Sequence, residues 1–177
     1  MPDRLSGEAW ARALHSFRRT AWRWETQGVY REPYEQPALR QFLAGEEPDL
    51  SFMDGWYADI RRGAATGRRY GRVRVLTDPL TDYLRFELSF TAANVAAGED
   101  VRILPAARAR ELDLPMDDFW LFDADERDAW AALMHFGPDG FTHADVVTDG
   151  TTLDRFREIR DRAWEDAIAF EVFRLTR

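Results

Sequence analysis

Few residues in this chain are of a type that does chemistry, and their spacing narrows them further. Cysteine is absent, which removes thiolate nucleophiles, thiolate metal ligands and disulfides. The serines are Ser6, Ser16, Ser51 and Ser89. None occupies a Gly-x-Ser-x-Gly elbow, and Ser89 falls inside an expected helix, where a nucleophile is poorly presented. Gly63, Gly67 and Gly71 recur every four residues. No strand precedes them and no Gly-Lys-Ser/Thr follows, so they do not read as a phosphate loop. Of the three histidines, His15 belongs to the first expected helix, while His135 and His143 flank an expected hairpin turn. With Asp123, Asp139 or Asp145 the hairpin pair has the donor types of a divalent-cation site. No HxH, HxxxH or HExxH spacing accompanies it, and the expected reading is a solvent-facing hairpin. No catalytic residue, metal site or cofactor is therefore expected.

What remains is a set of arginines, carboxylates and aromatics. Arg72 and Arg74 alternate with Val73 and Val75, which places the two arginines on one face of a strand. Asp82 and Arg85 stand three apart on an expected helix and can pair on its surface. If that helix packs beside the strands, Arg74, Arg85, Glu87 and Arg102 converge, with Tyr83 and Trp120 beside them. These six residues are the candidate ligand site. Such a cluster holds an anionic ligand or moves a proton; its commoner alternative is a structural ion-pair network of small energetic weight. In Phe119-Trp120-Leu121-Phe122, apolar residues face both ways. That reads as a central strand covered on both sides, with an aromatic pocket wall as the alternative.

The elements that must position these residues follow from periodicity and punctuation. Trp10, Leu14, Phe17, Ala21 and Trp24 recur at helical spacing, predicting one helix from Ser6 to Gln27, stopped by Gly28. Val29 to Gln36 reads as extended and Pro37 to Ala44 as a short helix. Helices are expected from Asp54 to about Ala65, Leu80 to Ala97 and Ala106 to Leu112, and a final one from Leu153 to about Phe170, capped by Thr151 or Thr152. Strands are expected at Tyr70 to Leu76, Asp100 to Leu104, Phe119 to Phe122, Trp130 to Phe136 and Phe141 to Val147. The fold class is thus α+β: a mixed sheet of about five strands with helices packed against it, a helical N-terminal segment and a closing C-terminal helix. The first two strands suit a parallel pair joined by a right-handed helical crossover. One domain is expected over 1–177, with a weak boundary near Glu46 to Phe52 between a helical part (1–50) and a sheet-containing part (51–177).

A 177-residue chain is long enough to bury its own core. Its net charge of −8 disfavours direct binding to nucleic acid or anionic lipid. The basic cluster Arg61, Arg62, Arg68, Arg69, Arg72 and Arg74 reads first as a solvated helix end and loop. The polar start lacks the apolar run of a secretion signal, and no stretch approaches a membrane span. A cytoplasmic location with no membrane partner is expected.

Three motifs carry a resemblance. They are Arg72-Val-Arg-Val-Leu-Thr-Asp-Pro-Leu-Thr-Asp-Tyr-Leu-Arg-Phe-Glu-Leu88, Ala97-Gly-Glu-Asp-Val-Arg-Ile-Leu-Pro105 and Asp118-Phe-Trp-Leu-Phe-Asp123. With Gln41 to Glu46, Met134-His135-Phe136 and Asp139-Gly140, they resemble an uncharacterised actinobacterial family of unknown function, over roughly Ser16 to Phe170. Asp125 to Trp130 departs from the family pattern, which leaves the hairpin register open. The resemblance implies encoding beside XRE-type helix-turn-helix regulators. It makes a non-enzymatic regulatory or interaction domain acting with such a regulator the first expectation. A small-molecule binder or cofactor-independent enzyme using an Arg/Glu/Tyr pocket, with a small anionic ligand, is the second.

Overall fold

The computed structural model describes residues 3–176. Among the described residues there are seven α-helices and eight strands, and all eight strands join one sheet. The strands are β1 (Arg4–Leu5), β2 (Thr20–Glu25), β3 (Arg69–Leu76), β4 (Glu99–Pro105), β5 (Phe119–Phe122), β6 (Trp130–Gly137), β7 (Gly140–Val147) and β8 (Ile168–Ala169). Their order in space is β1-β7-β6-β5-β2-β3-β4-β8. β2, β3 and β4 run parallel, and every other pairing is antiparallel. The α+β class and the mixed sheet are as expected. The sheet is larger than the expected five strands, because β1 and β8 are two-residue edges and β2 lies where a helix was expected.

The single helix expected from Ser6 to Gln27 is replaced by α1 (Gly7–Ala13) and the strand β2. The helical stripe from Trp10 to Trp24 coincides with a second pattern, Ala21-Trp22-Arg23-Trp24-Glu25, which alternates with period two. Trp22 and Trp24 join the core on one face of the sheet, and Ala21 packs on the other. Two carboxylates enforce the strand. Asp123 accepts the backbone N–H groups of Arg18, Arg19 and Thr20 at 2.8, 2.7 and 3.0 Å. At the far end Asp118 accepts from the Thr26 N–H at 3.0 Å and its hydroxyl at 2.6 Å. These acids bound β5, so the neighbouring strand fixes where β2 begins and ends. The described part of the expected helical segment, residues 3–50, is consequently not all helix: β2 lies inside the sheet between β5 and β3.

The remaining helices are α2 (Gln36–Leu43), α3 (Asp54–Ala65), α4 (Asp82–Ala97), α5 (Ala106–Glu111), α6 (Gly150–Asp166) and α7 (Phe170–Phe173). Thr81 caps α4 by accepting from the Leu84 N–H at 3.1 Å. Gly98 closes that helix in the left-handed region at φ +116°. The cap of α6 is Asp149, accepting from the Thr152 N–H at 2.9 Å, rather than Thr151 or Thr152. That helix ends at Asp166, short of Phe170, because β8 and α7 follow it.

The two faces of the sheet are filled differently. On one, Trp22, Trp24, Val73, Val75, Phe119 and Leu121 pack under α5 and α6 in a continuous apolar layer. Phe119 stacks on Phe156 of α6 with ring centroids 4.1 Å apart. On the other, α3 and α4 cover the sheet through Tyr57, Ile60, Leu84 and Phe86. Between them the sheet presents Arg23, Glu25, Arg72 and Arg74 beside Trp120. Among the described residues, no helix is long and apolar enough to cross a membrane.

Candidate functional site

Register brings the polar residues together. Arg23 of β2 pairs with Arg72 of β3, and Glu25 with Arg74; Trp120 of β5 pairs with Arg23 from the other side. Side chains at paired positions share a face, so these residues make one floor. α4 supplies a wall through Tyr83, Glu87, Phe90 and Asn94. Another comes from the segment between β2 and α2, with Tyr30, Glu32, Tyr34 and Glu35, and Trp56 of α3 adds an aromatic side. The space enclosed is about 330 Å³, within the range of small-molecule sites.

The floor is a connected ion-pair network. Glu25 Oε2 accepts from Arg72 at 3.0 Å and from Arg74 at 3.1 Å. Arg72 also donates to Glu99 at 2.9 Å, and Asn94 holds the second oxygen of Glu99 at 2.7 Å. Arg74 donates to the Thr91 hydroxyl at 3.0 Å and to Glu87 Oε1 at 3.1 Å. Arg23 donates to Asp118 at 2.6 Å, and the Tyr30 hydroxyl donates to the same carboxylate oxygen. Arg23, Glu25, Arg74, Glu87, Glu99 and Asp118 are each no more than 6% exposed. The guanidinium carbons of Arg23 and Arg72 both lie 5.8 Å from the Trp120 ring centre, a cation–π arrangement.

Burial and charge split the carboxyls into two kinds. Desolvation pushes Glu25 upward, but Arg74, Arg72 and Arg23 together outweigh it and hold the group at about 2. Glu87 goes the other way. Burial raises it to about 8; Arg74 opposes this, while Glu25 and Glu35 reinforce it. Burial likewise raises Glu35 to about 7, even though the Tyr83 hydroxyl donates to it at 2.5 Å. Burial and the neighbouring Glu87 and Glu35 carboxyls push the Tyr83 phenol far up, keeping it a donor. Groups poised near neutrality in a cleft mark functional sites more often than ordinary surface does.

Two polar atoms of residues lining the pocket are buried without a partner: Glu87 Oε2 and Trp56 Nε1. A buried polar group without a hydrogen bond is costly. Neither atom finds a partner within the protein: Trp56 Nε1 is a donor, and Glu87 Oε2 is an acceptor once the carboxyl is ionised.

Of the six expected site residues, Arg74, Tyr83, Glu87 and Trp120 line the pocket. Arg85 does not. It lies on the exposed side of α4, paired with Asp82 and donating to the Leu80 carbonyl at 2.7 Å. Arg102 pairs in register with Val73 and so faces the opposite side of the sheet. There it stacks 4.0 Å over Trp164 and donates to that residue's carbonyl at 3.1 Å. Arg23, Glu25, Glu35, Trp56 and Asp118 were not anticipated. The alternation of Arg23 and Glu25 with Trp22 and Trp24 was the available signal, masked by the helical reading of β2.

The hairpin histidines do meet. His135 and His143 are cross-strand neighbours with rings stacked 4.5 Å apart, and Asp145 contacts His135 at 2.8 Å. One ligand atom from each lies within 4.8 Å of the others. Asp145 is already paired with Arg4 at 3.3 Å, which reduces what its charge can offer a cation.

No curated protein and no solved structure matches the chain. A family model described as a domain of unknown function (DUF6879) matches residues 8–175. That span contains the whole sheet from β2 to β8 and every residue of the pocket, and the chain belongs to that family.

Proposed function

We propose that this chain is a small-molecule-binding domain whose site is the pocket between the sheet, α3 and α4. The observation that carries the reading is the buried, unpartnered Oε2 of Glu87 in a cavity of about 330 Å³ with aromatic walls. A purely structural ion-pair network closes on itself, because a half-satisfied one is worse than an apolar core. This one closes around Glu25, Glu99 and Asp118 and stays open at Glu87. Aromatic walls with a few placed polar groups are the usual composition of ligand sites. The regulatory role implied by the resemblance adds a partner to this reading: a helix-turn-helix regulator would respond to the filled pocket.

The test is a thermal-shift screen of polar and amphipathic metabolites against the whole chain. Binding of each hit is then followed through tryptophan emission, since Trp56 and Trp120 line the site. Hits are expected to lose at least tenfold in affinity in Tyr34→Ala, and those that engage Glu87 also in Glu87→Gln. If no compound raises the melting temperature, or if hits bind both variants unchanged, the pocket is not the site of function. Co-purification with a helix-turn-helix regulator, with and without a hit, tests the partnership.

A further inference from the structure

We propose that the ligand of this pocket is an organic cation, a protonated amine or amidine on an apolar skeleton, with Glu87 as its counter-ion. The inference rests on the binding reading above and adds the sign of the ligand's charge. Arginines alone argue for an anion, but in the fold these arginines are already matched. Arg23 is engaged by Asp118, Arg72 by Glu25 and Glu99, and Arg74 by Glu25 and Glu87. Four carboxylates thus touch three guanidiniums, and Glu32 and Glu35 stand on the wall as well. Glu25, Glu99 and Asp118 already balance the three guanidiniums, so an anion finds no unpaired arginine here. A cation finds Glu87, whose Oε2 has no partner within the protein.

The walls fit the same occupant. Tyr30 lies 5.7 Å from Tyr83 and 5.2 Å from Phe136, and Trp56 lies 5.9 Å from Trp120, between ring centres. Aromatic faces around a carboxylate are the usual means of holding an ammonium group. Trp56, whose Nε1 is also without a partner, lines the same space.

The titration of the pocket agrees. Glu87 is faced by Arg72 and Arg74 from β3, by Glu25 from β2, by Glu35 from the segment before α2 and by Tyr83 from its own helix. Burial keeps a proton on it up to about pH 8. A bound ammonium replaces that proton. Binding near neutral pH therefore releases protons, and affinity rises with pH from 6 toward 8.

The experiment uses matched sets on one skeleton: 2-phenylethylamine, 2-phenylethanol and 3-phenylpropanoate, with tryptamine, tryptophol and indole-3-propionate as the second set. Each is titrated calorimetrically into the whole chain in two buffers of different ionisation enthalpy. In at least one set the ammonium compound is expected to bind at least tenfold tighter than its alcohol and carboxylate partners, releasing up to one proton at pH 7. Glu87→Gln keeps an oxygen for Arg74. It is expected to abolish the release and cost the amine at least tenfold while changing the alcohol less than twofold. Equal or tighter binding of an alcohol or carboxylate overturns the cation proposal and leaves the binding reading intact. Absence of binding by all six also overturns it, and the broader screen then decides the binding reading separately.

Discussion

At the scale of single residues, the network under the pocket is an arrangement whose members cannot be removed singly. Arg74 bridges Glu25 and Glu87 in a space where all three are buried. Taking away the guanidinium leaves carboxylates in low dielectric with one cation fewer, and breaking a buried pair from one side costs about 3–5 kcal/mol. Arg74→Met is expected to lose about that much in urea denaturation at pH 7. Adding Glu25→Gln should recover part of it, because Glu25, charged at pH 7, is the carboxylate left with one cation fewer. A double variant no more stable than the single one would show that Glu25 is not the group being stranded. The Glu87 carboxyl sets a pH dependence. Glu87 is raised to about 8 and Glu35 to about 7 when folded, against an ordinary glutamate range near 4.3 when unfolded. The folded state therefore binds more protons between those values, and its stability falls as pH rises through them. Glu25, held at about 2, contributes stability that is lost only as pH falls from about 4.5 toward 2. Denaturation midpoints should decline from pH 5 to pH 9, and Glu87→Gln should flatten the upper part of that decline. An unchanged slope in the variant would sink the assignment.

At the scale of elements, the lesson lies in β2. Its neighbours were legible: the alternation of β3, the helical spacing of α4 with Gly98 after it, the Pro-Asp-Gly turn of the β6–β7 hairpin and the apolar run of β5 all state themselves locally. β2 does not, because Trp10 to Trp24 satisfies a helical period as well as Trp22 and Trp24 satisfy a strand. What decides between them is Asp123, about a hundred positions downstream, which takes the three backbone N–H groups where the strand begins. A local reading cannot see that interaction. The omission carried through to the site, hiding Arg23 and Glu25, while Arg74, Tyr83, Glu87 and Trp120 came from segments whose local signals were sufficient. Asp123→Ala should leave three N–H groups short of an acceptor, and hydrogen bonds to charged groups contribute about 1.5–3 kcal/mol each at most. We expect a loss of about 2–4 kcal/mol overall, since water reaches part of this turn, and a smaller loss in Asp123→Asn, which keeps one acceptor oxygen. Hydrogen exchange should show Thr20 to Glu25 deprotected in the alanine variant before β4 is. If β2 keeps its protection, the carboxylate is not what starts the strand.

At the scale of the whole molecule, one sheet separates two kinds of interior. The face under α5 and α6 is packed mainly with apolar side chains around the stacked Phe119 and Phe156, and it carries stability without a buried ion-pair network. The face under α3 and α4 holds paired charges and a cavity, which weaken packing there but create a site. A fold built this way can keep a costly pocket because the opposite layer does not share its partners. Phe156→Ala should remove a buried ring and cost about 3–5 kcal/mol, yet leave ligand affinity within about twofold under conditions where the chain stays folded. Combining it with Glu87→Gln makes the argument quantitative. Sites with no shared contacts add to within about 0.5 kcal/mol, so the double variant should show the sum of the two single stability changes. Its pH profile should also match that of Glu87→Gln alone. A coupling well above 0.5 kcal/mol, or a Phe156→Ala variant whose titration near pH 8 moves, would mean that the sheet transmits strain from one layer to the other, and that the apolar face takes part in setting the pocket.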